Sequence, residues 1–399
     1  MKKLLSLTAL CLSLFLLASC TQTETDEPSV PSLPSSSESS QSQSMEDPDS
    51  LEIKLTPELL EQNRMNQRNA SRITEDARSY YYRHPIKGTL YRYDKETGRQ
   101  KELFNKNLTY SDNGFLHSIK LYEDRIFFVT RTSEDQAPTL YSIDRNGGNL
   151  IKHISNVGDD YHLTKDYLYF TTMADPQTGE WFTLYRLERK TGNVIQLLSH
   201  QCEFLNFVGD DIYYTDGTFT EETVETSKLV CKYSLKTGER TVLDVQNSYP
   251  KTLSSFLNLY YLDGSLYFMA TQKNSNSSED GVFCYDLKSG KTEKIITDSE
   301  LIQGGSRPGT RILYFTVVNA NHFWVYGQSF DMDQTLTPQH TLVEVKKSKN
   351  AFTQKEFEKN VGFSPYITNG KPVLEPFNLG AGFVGLEELN KTIDDEQAA

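Results

Sequence analysis

A short run of aromatic and aliphatic residues returns six times along the chain: SYYYR from Ser79, RIFFV from Arg125, YLYFT from Tyr167, DIYYT from Asp211, SLYFM from Ser265 and ILYFT from Ile312. Aligned on Tyr82, Phe128, Phe170, Tyr214, Phe268 and Phe315, the runs recur every 42 to 54 residues. Each is apolar at consecutive positions, the pattern of a short strand covered on both faces. Most follow a tight polar turn, such as Glu123-Asp124 or Asp263-Gly264, and before that turn lies another apolar run, as from Leu116 to Tyr122 or from Phe256 to Leu262.

A second series follows the first. LYRYDKETG (Leu90–Gly98) returns as LYSIDRNGG (Leu140–Gly148), LYRLERKTG (Leu184–Gly192), VCKYSLKTG (Val230–Gly238) and VFCYDLKSG (Val282–Gly290), with the final glycines 50, 44, 46 and 52 residues apart. A strand ending in a polar turn with Gly last fits a turn whose closing residue has positive φ, where a Cβ would clash. Another strand comes next each time, as in Val194–Leu198 and Thr292–Ile296. The unit therefore holds four antiparallel strands, and such units repeated every 40 to 50 residues make an all-β propeller. Six copies predict six blades. The sixth hairpin, near Thr341–Lys355, lacks the Gly. The segment Phe363–Phe377, with its Asn369-Gly370 turn, either closes the ring against the first blade, which shows no evident first strand before Ser79, or begins a seventh. The sequence assigns 79–385 to the propeller, 51–78 to a lead-in with a short helix started by Thr56-Pro57, and 386–399 to a flexible acidic tail.

The N-terminus is of another kind. Lys2 and Lys3 precede an apolar stretch, Leu4 to Leu17, that is too short to span a bilayer, which takes about 20 residues, and that has the layout of a secretory signal peptide over 1–19. Leu17-Ala18-Ser19-Cys20 resembles the bacterial lipobox, which implies that Cys20 carries diacylglycerol and becomes the mature N-terminus. Two acyl chains suffice for stable anchoring. From Cys20 to Ser50 the chain is rich in Ser, Pro, Glu and Gln, as expected of a disordered tether. The expected location is the extracytoplasmic face of a cell membrane, and the long Ser-rich tether is similar to Gram-positive usage.

Over about 75–370 the aromatic strand followed by LYxxDxxTG resembles extracytoplasmic bacterial lipoproteins with a TolB-like propeller, including those whose propeller domain has no assigned function. The resemblance implies the fold more than an activity. The net charge of −13 disfavours nucleic acid and direct docking on anionic lipid. Cys202, Cys231 and Cys284 have no CxxC spacing and read as buried strand residues; the seven histidines show no metal-ligand spacing, so no metal or cofactor is expected. Gly304-Gly305-Ser306-Arg307-Pro308-Gly309 puts Pro where a nucleophile elbow needs Gly, and no catalytic residue is singled out.

In a propeller, the second-to-third-strand connections and the blade-to-blade connections emerge on one face. The former are long here, at 131–138, 173–182, 216–228, 271–281 and 319–340. On this reading they contain Trp181 and Trp324, the only tryptophans, and acids including Asp135, Glu221, Glu222, Glu279, Asp280, Asp331 and Asp333. Trp181, Trp324, Glu221, Glu222, Asp331 and Asp333 are the candidate ligand-binding residues. The leading expectation is a non-catalytic binding or scaffolding module for an envelope protein, peptide or glycan. Its alternatives are an envelope polysaccharide lyase or glycosidase and an accessory sensor subunit of a membrane complex.

Overall fold

The computed structural model describes Asn63 and residues 73–84, 88–104, 116–132, 135, 137–173, 182–217, 228–273, 278–301, 310–329, 339–348, 351–359, 366–368 and 371–373. The chain divides into two units, Met1–Ser50 and Leu51–Ala399, and all the described residues belong to the second.

Those residues form six four-stranded antiparallel blades in a propeller arrangement. Blade one holds β1 (Ile73–Glu75), β2 (Ser79–Arg83), β3 (Leu90–Asp94) and β4 (Gln100–Phe104). Blade two holds β5 (His117–Tyr122), β6 (Arg125–Thr130), β7 (Thr139–Asp144) and β8 (Ile151–Ser155). Blade three is built from β9 (Val157–Leu163), β10 (Tyr167–Thr172), β11 (Leu184–Glu188) and β12 (Val194–Leu198). Blade four follows with β13 (Gln201–Val208), β14 (Asp211–Gly217), β15 (Lys228–Ser234) and β16 (Arg240–Val242). Blade five has β17 (Thr252–Leu262), β18 (Ser265–Lys273), β19 (Ser278–Asp286) and β20 (Lys291–Thr297). Blade six has β21 (Thr310–Asn319), β22 (His322–Ser329), β23 (Gln339–Ser348) and β24 (Ala351–Lys359).

The repeated turn explains the repeated glycine. Gly98, Gly192, Gly238 and Gly290 have φ between +66° and +76°, and their amides donate to Asp94, Glu188, Ser234 and Asp286, at the end of each third strand. The residue after that strand end ties this turn to the turn between the first two strands: Lys95 donates to Arg78, Arg189 to Asp166, Leu235 to Asp210 and Leu287 to Gly264, and in blade six Lys347, inside β23, donates to Asn321. In blade two the Arg145 side chain makes the equivalent link, to the Glu123 carbonyl at 2.8 Å. There the left-handed glycine is Gly147, φ +93°, and not the Gly148 of the sequence alignment. A Cβ on Gly147 would stand 3.1 Å from the Leu103 carbonyl of blade one, so this turn is tight on its neighbour.

The innermost strands carry bulges. Residues 118–119, 204–205 and 258–259 each stand two against one opposite Phe128, Tyr214 and Phe268, with Ser118, Phe204 and Asn258 at positive φ. A bulge bends its strand and frees a backbone group from the ladder. Neighbouring blades take up those groups. The Tyr161 hydroxyl donates to the Ser118 carbonyl at 2.6 Å, and the Asn206 amide to the Leu259 carbonyl at 2.9 Å while its oxygen accepts from Tyr261 N at 3.0 Å. Tyr260 reaches the Phe315 carbonyl of blade six at 2.8 Å.

Three expectations change, and a fourth falls on residues that are not described. The first blade has its first strand, β1, inside the stretch read as a lead-in; it is only three residues long, too short to stand out in the sequence. The expected helix lies outside the described residues apart from Asn63, whose buried carboxamide pairs with both backbone groups of Glu75, at 2.7 and 3.0 Å. ILYFT belongs to β21, the first strand of blade six, and the strand equivalent to the other aromatic runs is β22, HFWVYGQS. Finally, β25 (Tyr366–Thr368) and β26 (Lys371–Val373) pair only with each other among the described residues, adding neither a seventh blade nor a strand to the first.

Candidate functional site

The long-loop face gathers the ends of the second strands and the starts of the third. Trp181, Glu221, Glu222, Asp331 and Asp333 lie outside the described residues, as does Cys20. Trp324 does not belong to this face: it sits in β22, 3% exposed, packed with Tyr326 and Leu342. The slip by one strand in blade six explains the misplacement, because the sequence reading took a β-turn, β22 and a loop together as one long connection.

Three acids of this face that are described are bonded into its framework. Asp135, 7% exposed, accepts from Thr132 N (3.0 Å), the Thr132 hydroxyl (2.8 Å), the Tyr141 hydroxyl (2.8 Å) and Lys152 Nζ (2.7 Å). Burial works against its charge, but Lys152, Thr132 and Tyr141 outweigh it and hold the carboxyl down at about 2. Glu279 accepts from Gln272 Nε2 at 2.6 Å and Ser299 N at 3.1 Å, and Asp280 from the Thr271 hydroxyl at 2.6 Å. These bonds fasten the roots of the loops.

Asp298, in the connection from blade five to blade six, goes the other way. Burial pushes its carboxyl up to about 6; the Ile312 amide, 2.7 Å away, opposes the rise, and Asp280 and Glu279 add to it. A second cluster lies in blade four, where Arg240 contacts the buried Asp216, His200 Nε2 stands 3.5 Å from the same oxygen, and Arg240 reaches Cys231 Sγ at 3.4 Å. Burial raises both the Cys202 and Cys231 thiols, Cys231 to about 11, so neither is a ready nucleophile at neutral pH. Cys284 is only half-buried. Sequence reasoning missed the Asp135–Lys152 and Asp216–Arg240 pairs, whose members lie 17 and 24 residues apart; only the folded strands and their connections bring them together.

The described histidines stay apart; His162 stacks on Phe207 at 4.1 Å, and His153 is pushed down to about 4 by burial and by Arg125 and Arg189. Among the described residues no group of three or more His, Cys, Asp and Glu side chains is placed to hold a metal. A cleft of about 530 Å3 opens between the outer strands of blades five and six over Ile295, Val345 and Phe352. Its rim charges are tied to each other, Lys347 to Glu293 at 2.6 Å and Lys294 to Glu300.

No protein-family model matches the sequence, and neither does any curated protein. Solved structures similar to it include a putative TolB from Agrobacterium tumefaciens (12% identity, 55% of this chain and 77% of that one, TM-score 0.37). TolB from Acinetobacter baumannii is similar at 12% identity over 71% of this chain and 64% of that one, TM-score 0.41. A GH74 enzyme from Niastella koreensis is similar at 14% identity over 70% of this chain, which spans 43% of the enzyme, TM-score 0.45. These are propeller likenesses of low identity; the six-blade fold rests on the strand pairing itself.

Proposed function

We propose that the chain is a lipoprotein held on the extracytoplasmic face of a membrane through Cys20, and that its propeller is a non-catalytic module binding an envelope protein, peptide or glycan at the long-loop face. The observation that carries the reading is the use of Asp135, Glu279 and Asp280 as braces. Acid–base chemistry needs carboxylates aimed at a substrate. These three are spent on fastening the feet of long connections, and loops footed on a rigid scaffold are where binding residues concentrate. The lipid anchor and the tether rest on the sequence of 1–50.

Capture of envelope fractions by the full chain in detergent tests the face. Trp181→Ala and the double change of Glu221 and Glu222 to Ala should weaken capture of one partner by about tenfold, as loss of an interface anchor does. Equal capture by the wild type and both variants would place the site elsewhere. Anchoring is tested separately: Cys20→Ala should abolish labelling by a palmitate analogue, and equal labelling would refute the anchor.

A further inference from the structure

In each blade the two tight turns, between strands one and two and between strands three and four, lie on one face of the ring, and the second-to-third-strand connection lies on the other. Among the described residues, Asn63 is the first to fasten the chain arriving from Cys20, and it does so at the tight-turn face. Its carboxamide, 5% exposed, donates to the Glu75 carbonyl at 2.7 Å and accepts from the Glu75 amide at 3.0 Å. Glu75 ends β1 and leads directly into the tight turn 76–78. Its carboxylate contacts Lys95 of the second tight turn, whose Nζ also donates to the Asp76 carbonyl at 2.6 Å. Because β2 pairs along one edge of β1, Asn63 occupies the other, which faces the ring axis. Releasing it would strip both backbone groups of a buried residue of these bonds, so the chain is pinned there.

Charge separates the two faces in the same sense. The tight turns hold ten lysines and arginines and eight acids, whereas the second-to-third-strand connections of blades two to six hold nine acids and one base, Arg131. An anionic bilayer therefore repels the second face and is nearly indifferent to the first, once either comes within a Debye length.

We propose that the tight-turn face is the membrane-proximal face of the propeller and that the long-loop face is held away from the bilayer, open to partners. The inference rests on the lipid anchor at Cys20 proposed above. A flexible chain from Cys20 to Asn63 has a root-mean-square reach of about 35 Å, close to the depth of a blade, which is about 30 Å for the nine-residue strands β18 and β19. The body therefore tilts but does not freely invert, and a shorter tether narrows its range.

The test uses the lipidated full chain in vesicles of phosphatidylglycerol and phosphatidylcholine that carry an acceptor dye on the headgroups. The donor is placed by Lys288→Cys, in the exposed tight turn of blade five, or by Lys273→Cys, at the long-loop end of β18 in the same blade, with Cys284→Ser removing the half-buried thiol. Energy transfer should be about twofold greater from position 288 than from position 273, and deleting 21–50, which cuts the reach to about 20 Å, should widen that ratio. Asn63→Ala, with its fold checked by circular dichroism, should narrow the ratio; if it does not fold, Asn63→Asp, which loses only the donor, takes its place. Equal transfer from the two positions, greater transfer from 273, no widening on deletion, or an unchanged ratio without the Asn63 bond overturns the proposal. A chain that does not float with the vesicles refutes the anchor, and the orientation falls with it. A chain that floats but transfers equally leaves the anchor standing and refutes the orientation alone.

Discussion

The five interfaces between consecutive blades differ from the two faces left at the ends of the series. Between blades one and two, Tyr81, Leu90 and Leu103 merge with Ile119, Phe128 and Tyr141 in one apolar cluster, and each following pair does the same, down to Tyr260 and Val282 with Phe315 and Phe323. The remaining face of blade one (Ile73, Tyr82, Tyr91) and that of blade six (Trp324, Tyr326, Leu342) are small separate clusters among the described residues, although their members are buried. Consecutive interfaces also receive the cross-blade bonds to the bulges. Repetition thus builds the inner interfaces twice over, by packing and by backbone stitching, while the ends depend on fewer described contacts.

The largest expected effect tests that asymmetry. Tyr260→Ala removes a buried ring and orphans the Phe315 carbonyl, and should cost about 4 kcal/mol in chemical denaturation. Trp324→Ala, at the end face, should cost about 3 kcal/mol; an equal or greater loss would show that the end face is packed as firmly as an inner interface.

Next comes the brace. Asp135→Asn should cost about 2 kcal/mol by weakening charge-assisted bonds to Lys152 and leaving donors poorly matched. Because folding holds this carboxyl at about 2, below its ordinary value, its contribution is present above about pH 4 and is lost as pH falls toward 2. Asp298 has the opposite sign. Its carboxyl is raised to about 6, so the folded chain binds the proton more tightly, and stability falls as pH rises from about 4 to 6. Asp298→Asn should flatten that slope in melts taken across this range, and an unchanged slope would show that Asp298 does not produce it.

The smallest effect concerns the blade-two turn. Gly147→Ala should cost about 1 kcal/mol or somewhat more, from positive φ and the approach to Leu103, whereas Gly148→Ala should cost less than about 0.5 kcal/mol. Reversed costs would restore Gly148 as the turn glycine and loosen the contact between blades one and two.

Much of the propeller was legible because its physics is local. Consecutive apolar residues mark covered strands, and a Gly in the left-handed region marks each hairpin, so blades two to five could be read strand by strand. Blade six was misread because β21 is as aromatic as a second strand, and the short Asn319–His322 turn passed unnoticed inside a supposed loop. Likewise β1, with three residues, carries too little pattern to be seen.

By itself the sequence determined the class, the repeat and the turn chemistry, since each depends on residues within a few positions of one another. The sequence predicted six blades and left a seventh open; only the tertiary structure decided that choice, the burial of Trp324 and the pairings of Asp135 with Lys152 and Asp216 with Arg240. It alone set the opposite shifts of Asp135 and Asp298. Those outcomes depend on which strands and loops folding brings together and on which blade covers which face, and two identical carboxyl groups acquire different chemistry only when folding surrounds one with donors and buries the other, with further acids nearby.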